Sequence, residues 1–225
     1  MTKLSIIVPA LDEAAGIEGC LRPLQALRTR GVEVIVVDGG SNDATRELAM
    51  PLADRVLDSP RGRARQMNAG AVAASGDVLL FLHADTFLPA EADALVDAAV
   101  SHGAQWGRFD VAITGSNPLL RIVALAMNAR SRYTGIATGD QAIFVKREAF
   151  AAAGGFPDIP LMEDVALSRA LRQRARPACL RERVVTSGRR WERRGTLRTI
   201  LLMWRLRLAY ASGADPRTLA HRYDA

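Results

Sequence analysis

Through the first half of the chain, short unbroken apolar runs alternate with stretches of helical period. LSIIVPA (4–10) has the continuous apolar character of a strand buried on both faces. Residues 13–30 carry Ile17, Leu21, Leu24 and Leu27 at three- and four-residue spacing, which predicts a helix. EVIVVDGG (33–40) is a second buried strand, residues 43–50 a short helix, and DRVLDS (54–59) a third, weaker strand. Residues 63–75 read as a helix, DVLLFLHAD (77–85) as a fourth strand and residues 89–102 as a further helix. This strand-helix alternation predicts an α/β fold, a mostly parallel Rossmann-like sheet with helices on both faces.

The second half is less regular. RFDVAI (108–113) and QAIFVK (141–146) read as strands on either side of a helix over 117–131 and a loop over 135–140. EAFAAAGGF (148–156) is a short helix stopped by Gly154 and Gly155. MEDVALSRALRQRA (162–175) is a helix with acidic residues at its start, and a short strand is expected near Val184. Residues 196–211 form an apolar, arginine-studded helix with Leu197, Leu201, Trp204 and Leu208 on one side and Arg198, Arg205 and Arg207 mostly around the other. That stripe is expected to pack on the core; a second copy or an anionic lipid surface is the alternative destination. With no repeat and no linker, residues 1–225 read as one domain.

Composition sharpens this picture. Half of the 225 residues are apolar (49%), enough for a sizeable core. The +6 charge is unevenly placed. From Arg169 to Arg207 there are 13 arginines and two acids, a net +11, so the rest of the chain sums to about −5. Such asymmetry suits an anionic partner for the C-terminal region, or simply a solvated basic face. Cys20 and Cys179 stand far apart in no metal-type spacing, which fits reduced thiols and a cytoplasmic protein. No apolar stretch has transmembrane length and no signal peptide is evident, so a soluble protein is expected, at most peripheral at the inner membrane face.

Candidate chemistry gathers where strands end. Pro9, Asp12 and Glu13 follow the first strand, Asp38 to Asp43 the second, and His83, Ala84 and Asp85 the fourth. Open α/β sheets bind ligands in the crevice beyond those carboxyl ends. Ser41 or Asp43 also suits a helix cap. Arg61, Arg63, Arg65, Gln66 and Asn68 follow in a loop-helix segment, and guanidinium forks match phosphate oxygens. Glu163 and Asp164 open a helix whose dipole favours ionised carboxylates.

Taken in order, IIVPALDE, VVDGGSNDAT, RQMNAG, DVLLFLHADT, GDQAIF and MEDVALSRAL resemble the inverting family 2 glycosyltransferases of GT-A fold, over roughly residues 4–175. The remainder, with SGRRWERRGTLRTILLMW, resembles a clade of short bacterial members sometimes labelled for arsenosugar biosynthesis. The resemblance implies a nucleotide-diphosphate sugar donor, UDP-linked by expectation, and an acceptor hydroxyl of unknown kind. It divides the chain into a donor-binding half (1–110), an acceptor and catalytic half (111–195) and a C-terminal helical segment (196–225).

On that resemblance Pro9, Asp12 and Glu13 lie beside base and ribose, Asp38 accepts from the base, and Gly39 lets backbone approach. Arg65, Asn68 and Arg190 lie along the nucleotide, and Asp140 contacts the donor sugar. His83, Ala84 and Asp85 occupy the place of the family's Asp-x-Asp metal motif. Asp85 matches its second carboxylate, while His83 departs from the first. A divalent cation is implied, with the imidazole favouring Mn²⁺ over Mg²⁺. Asp164 corresponds to the general base, with Glu163, Gln141 and Trp191 on the acceptor side; Trp191 suits ordinary core equally well.

Two rivals remain in view. A sugar nucleotidyltransferase would share the α/β core but calls for a glycine-rich phosphate loop where this chain has PALDE. A binding module for nucleic acid or an anionic surface would use the arginine-rich end and have no need of acidic strand ends; nucleic acid is not the expected partner. No G-x-G-x-x-G follows a strand, which disfavours a dehydrogenase, and no P-loop is present.

Overall fold

Runs of valine, isoleucine and leucine build the centre of one eight-stranded sheet in the computed structural model, which describes residues 2–224. The side chains of Arg190, Arg193 and Asp224 lie outside the described residues. The strands are β1 (Leu4–Ala10), β2 (Glu33–Asp38), β3 (Arg55–Asp58), β4 (Val78–Phe81), β5 (Thr86–Phe87), β6 (Trp106–Ile113), β7 (Ile143–Lys146) and β8 (Ala178–Thr186). Their order is β3-β2-β1-β4-β7-β6-β8-β5. Successive side chains alternate between two cores, as the two-residue strand period requires. Ile6, Val8, Val34, Val36 and Leu80 enter one cluster; Ile7, Ile35, Val37, Leu79 and Phe81 enter the other.

The chain runs outward from β1 to β2 and β3, then returns to place β4 on the other side of β1. Strand order therefore reverses between β1 and β4. In open α/β sheets this switch point is where a crevice forms. The loops after β1, β2 and β4 surround it, and all three carry the polar clusters seen in the sequence.

The sheet is mixed, with parallel pairs in the majority. Four of the seven strand pairs among the described residues are parallel, and three, β4–β7, β6–β7 and β5–β8, are antiparallel. Strand alternation cannot reveal direction, because a strand buried on both faces reads alike in either sense. The helix expected over 13–30 is two short helices, Ile17–Leu21 and Gln25–Arg28. Pro23 between them has no N–H to donate, and i→i−3 bonds from Leu24 to Leu21 and from Gln25 to Arg22 carry the chain round. The strand expected near Val184 is nine residues long. Helix Pro216–Asp224 falls within the expected C-terminal helical segment, whereas helix Arg189–Arg194 and the two-residue β5 were not anticipated.

Helix Thr196–Ala211 does pack on the body of the protein, but with the other face. Leu206 joins Leu161, Met162, Val165 and Leu219 in a third cluster, with Leu202, Met203 and Tyr210 partly buried against it. Leu197, Leu201, Trp204 and Leu208 stay exposed. The helix is apolar on both sides, so period alone could not say which side faces inward.

Candidate active site

The loops after β1 and β2 are tied to each other by their own polar groups. The Asp38 carboxylate accepts the N–H groups of Gly40 (3.0 Å) and Ser41 (2.9 Å) and the Ser41 hydroxyl (2.5 Å). Asp12 accepts from the Asn42 N–H at 2.8 Å, and its own N–H donates to Ser41 Oγ at 2.9 Å. The N–H of Glu13 donates to Thr45 Oγ1, and that of Ala14 to Asp43. Beneath them the buried Gln66 amide donates to the carbonyls of Ala10 and Val37, both at 2.8 Å. A Cβ at Gly39 would stand 3.0 Å from the Gln66 amide, so a larger residue there would require that amide to shift. Pro9 is buried at the end of β1.

The loop after β4 carries His83, Ala84 and Asp85. His83 is held between two residues of the one-turn helix Gly139–Gln141: its Nδ1 lies 3.4 Å from Asp140, and a Cβ at Gly139 would come within 2.3 Å of its ring. Burial works against charge on His83, but the Asp140 contact, supported by Asp85, outweighs it and raises the imidazole pKa. Ala84 is buried and can offer only backbone. Burial, and next the charge of Asp85, push the Glu13 carboxyl above its ordinary value; Arg189 opposes them. Glu13, from the loop after β1, is thus within electrostatic reach of Asp85, from the loop after β4.

Glu163 and Asp164 open helix Glu163–Arg172, as the sequence suggests. Asp164 accepts the N–H of Val165 at 2.6 Å and that of Gly139 at 2.9 Å, which joins this helix to the His83–Asp140 pair. Glu163 is buried; one oxygen lies 3.2 Å from Arg63 Nε, and the other, Oε2, has no partner. Burial raises its pKa, Arg63 pulls it back and Asp164 adds to the rise. Arg63 sits in the joint field of Glu163, Asp164, Asp140 and Asp85, which together hold its pKa up against burial. Nearby Arg130 has Nε and Nη2 buried without partners, and burial lowers its pKa despite Asp164 and Asp140.

Strain marks the same places. The described non-glycine residues with positive φ are Asp12 (52°), Ala142 (46°) and Met162 (70°). One follows β1, one follows Gly139–Gln141, and one immediately precedes Glu163. Such conformations cost free energy and persist where the surroundings impose them.

Other expected residues are engaged elsewhere. Arg65 forms a two-pronged pair with Asp158, at 2.8–3.0 Å, on the surface. Both amide groups of Asn68 are taken by the backbone of Phe156. Gln141 is fully buried and donates to Ser131 and Asn128, so it presents no atom to solvent in this conformation. Trp191 is half-buried on helix Arg189–Arg194. The Arg190 side chain, expected on the diphosphate, lies outside the described residues. Arg130 was missed entirely, because one arginine on an amphipathic helix gives no local signal of what its far end meets. Arg63 was one of three arginines in a loop; only its buried partner Glu163, far away in sequence, singles it out.

No group of three His, Cys, Asp or Glu side chains among the described residues stands close enough to enclose a metal ion. Asp85, and His83 if its ring leaves Asp140, offer two protein ligands at most. That donor set fits a hard divalent cation completed by substrate oxygens and water. The charge of Asp85, after burial, helps hold the Glu13 carboxyl above its ordinary value, as in a place short of positive charge.

A family model described as Glycosyl transferase family 2 matches residues 5–145. The chain is 38% identical over 106 residues to the PGL/p-HBAD biosynthesis glycosyltransferase of Mycobacterium bovis (strain BCG / Pasteur 1173P2); the match covers 44% of this chain and 41% of that relative. This chain thus spans less than half of that relative's length. Its fold is similar to that of S. aureus TarS 1-349 in complex with UDP-GlcNAc, with TM-score 0.66, 18% identity, and 82% and 58% of the two chains covered. It is also similar to the mannosyltransferase PcManGT from Pyrobaculum calidifontis in complex with GDP-Man and Mn²⁺, with TM-score 0.66, 23% identity, and 99% and 69% covered.

Proposed function

The chain belongs to glycosyl transferase family 2, and from that premise we propose that it transfers a sugar from a nucleotide-diphosphate donor to an acceptor hydroxyl with inversion at the anomeric carbon. The observation that carries this reading is the meeting of Asp85, Asp140, Glu163, Asp164 and Arg63 beside the switch point. Residues 1–110 form the donor side. Asp38, Asp12, Glu13, Pro9 and Gly39 shape the pocket for base and ribose, and Asp38 keeps lone-pair capacity beyond the three bonds it accepts. UDP is the expected nucleotide; the UDP-GlcNAc of TarS and the GDP-Man of PcManGT make both bases worth testing.

Asp85, with His83, would hold a divalent cation, Mn²⁺ in preference to Mg²⁺, and PcManGT was solved with Mn²⁺. When bound, such an ion neutralises charge on the departing diphosphate. Arg63, whose side chain is partly exposed beside Glu163, adds a guanidinium to the same side. Asp140 orients the sugar.

Asp164 removes the proton of the acceptor hydroxyl while that oxygen attacks the anomeric carbon. The acceptor oxygen–carbon bond forms, the bond from the anomeric carbon to the diphosphate oxygen breaks, and the proton passes to Asp164. The two backbone N–H groups that Asp164 accepts fix its orientation and leave further lone pairs for the hydroxyl. Glu163 and Trp191 border the acceptor. A match to a transferase family over residues 5–145 gives the nucleotidyltransferase reading no support.

The test is a panel of UDP- and GDP-sugars with Mn²⁺, with Mg²⁺ and in EDTA, with the product anomer read by NMR. Turnover of one donor with Mn²⁺, its loss in EDTA and an inverted product are expected. Full activity in EDTA overturns the role of the metal, and a retained configuration overturns Asp164 as base.

A further inference from the structure

Single leucines on a protein surface need no explanation, but a continuous apolar face does. Helix Thr196–Ala211 exposes Leu197, Leu201, Trp204 and Leu208, each between 61% and 68% accessible. At about 100° per residue these four fall within one narrow stripe. The neighbouring helix Leu119–Thr134, which touches it, exposes Ile122, Leu125 and Tyr133. Seven of the ten large hydrophobic residues exposed among the described residues thus belong to two adjoining helices.

Charge borders the stripe in one sign. Arg198 and Arg205 run along one margin and Arg207 along the other, and no acid occurs between Thr196 and Ala214. Beside the stripe is a groove of about 580 Å³ lined by Arg194, Arg198, Arg205 and Arg222 with Leu201 and Leu202, and without a carboxylate. Arg194 is steadied there by donating to the Tyr223 carbonyl at 2.5 Å.

We propose that this face docks on an anionic phospholipid surface, with helix Thr196–Ala211 lying in the plane of the interface. Leu197, Leu201, Trp204 and Leu208 enter the headgroup boundary, and the arginine groove takes lipid phosphates. An apolar stripe, a basic margin and an indole at the boundary are the features such a helix needs. The helix is 16 residues, about 24 Å, and no described helix is long and apolar enough to cross a bilayer. A two-fold contact with a second copy would set Arg198 and Arg205 near their own symmetry mates with no acid to meet them, which opposes self-association. The inner side of the same helix packs with Met162 and Val165, the residues that bracket Glu163 and Asp164. Docking therefore holds that pair about one helix diameter from the lipid.

The test is sedimentation of the full chain with phosphatidylcholine vesicles, with and without phosphatidylglycerol. The expected result is binding only to the anionic vesicles, weakened by salt, with a blue shift in tryptophan emission from Trp204. Trp106 is already buried and Trp191 half-buried. Arg198→Ala with Arg205→Ala should weaken binding about 30-fold, at roughly 1 kcal/mol per arginine. Leu201→Ser with Trp204→Ser should abolish it; all four positions are exposed, and circular dichroism will report an unchanged fold. Equal binding to neutral vesicles, no binding at all, or a dimer in light scattering that Leu201→Ser with Trp204→Ser disrupts would each overturn the proposal.

Discussion

The donor loops and the segment from Gly139 to Asp164 face the same crevice but are built on opposite principles. In the loops after β1 and β2, polar groups satisfy one another: Asp38, Asp12 and Asp43 spend their oxygens on nearby N–H and hydroxyl groups. Among the described residues, no buried side-chain polar atom in residues 1–107 lacks a partner. Across the crevice, Glu163 Oε2 and two nitrogens of Arg130 are buried and unpartnered. A buried polar group left unmatched costs free energy, so its persistence marks a place where something else completes it. The difference separates a region whose polar groups are matched among themselves from one that leaves buried polar atoms unmatched.

The largest effect should come from the unfinished side. Removing a general base costs on the order of 10²–10⁴ in rate. If Asp164 is the base proposed above, Asp164→Asn should lower kcat by about that factor and leave donor KM nearly unchanged, because the proposed contact is to the acceptor. Steady-state kinetics with a turned-over donor will decide; near-normal kcat would remove Asp164 from the chemistry. Next is Gly139→Ala. Its Cβ must displace the His83 ring, which sits against Asp140 beside Asp164. A displacement of that size can cost up to ~10² in rate, with stability down by about 1–3 kcal/mol. An unaltered rate would mean that His83 can move without consequence.

On the finished side the effects should be smaller and should couple binding to folding. Asp38→Ala removes the acceptor of three loop bonds as well as the proposed contact to the base. Nucleotide affinity should fall by about 1–3 kcal/mol and unfolding stability with it; calorimetry and urea denaturation will show whether the two losses travel together. Loss of stability with unchanged nucleotide affinity would confine Asp38 to the loop. The smallest effect is expected at Arg65, whose pair with Asp158 is exposed on both sides. Arg65→Ala should change stability by less than about 1 kcal/mol and nucleotide affinity hardly at all. A tenfold loss of affinity would instead make Arg65, and not Arg63, the guanidinium on the diphosphate.

The two regions also differed in how far the sequence revealed them. The strands after which Asp12, Asp38 and Asp85 stand are local apolar runs, and local period locates them well. Strand direction in β7, the break at Pro23 and the inward side of helix Thr196–Ala211 depend on what lies opposite, which no local pattern records. The same holds for the site. The place of Asp164 at the start of a helix was legible because acidic residues there precede a run of helical period. Arg130 and the link from Asp164 to the Gly139 N–H were not, since what Arg130 meets and which N–H Asp164 accepts are set by the fold and not by neighbours in sequence.

In the proposed mechanism Asp85 and a divalent cation assemble a donor diphosphate at the switch point. Isothermal calorimetry of UDP and GDP into the wild type and Asp85→Asn, with Mn²⁺ and with EDTA, tests it directly. The account predicts that one nucleotide binds the wild type in Mn²⁺, that EDTA weakens this binding strongly, and that Asp85→Asn is weak in both conditions. Equal affinity in all four conditions, or no affinity for either nucleotide in Mn²⁺, would contradict it.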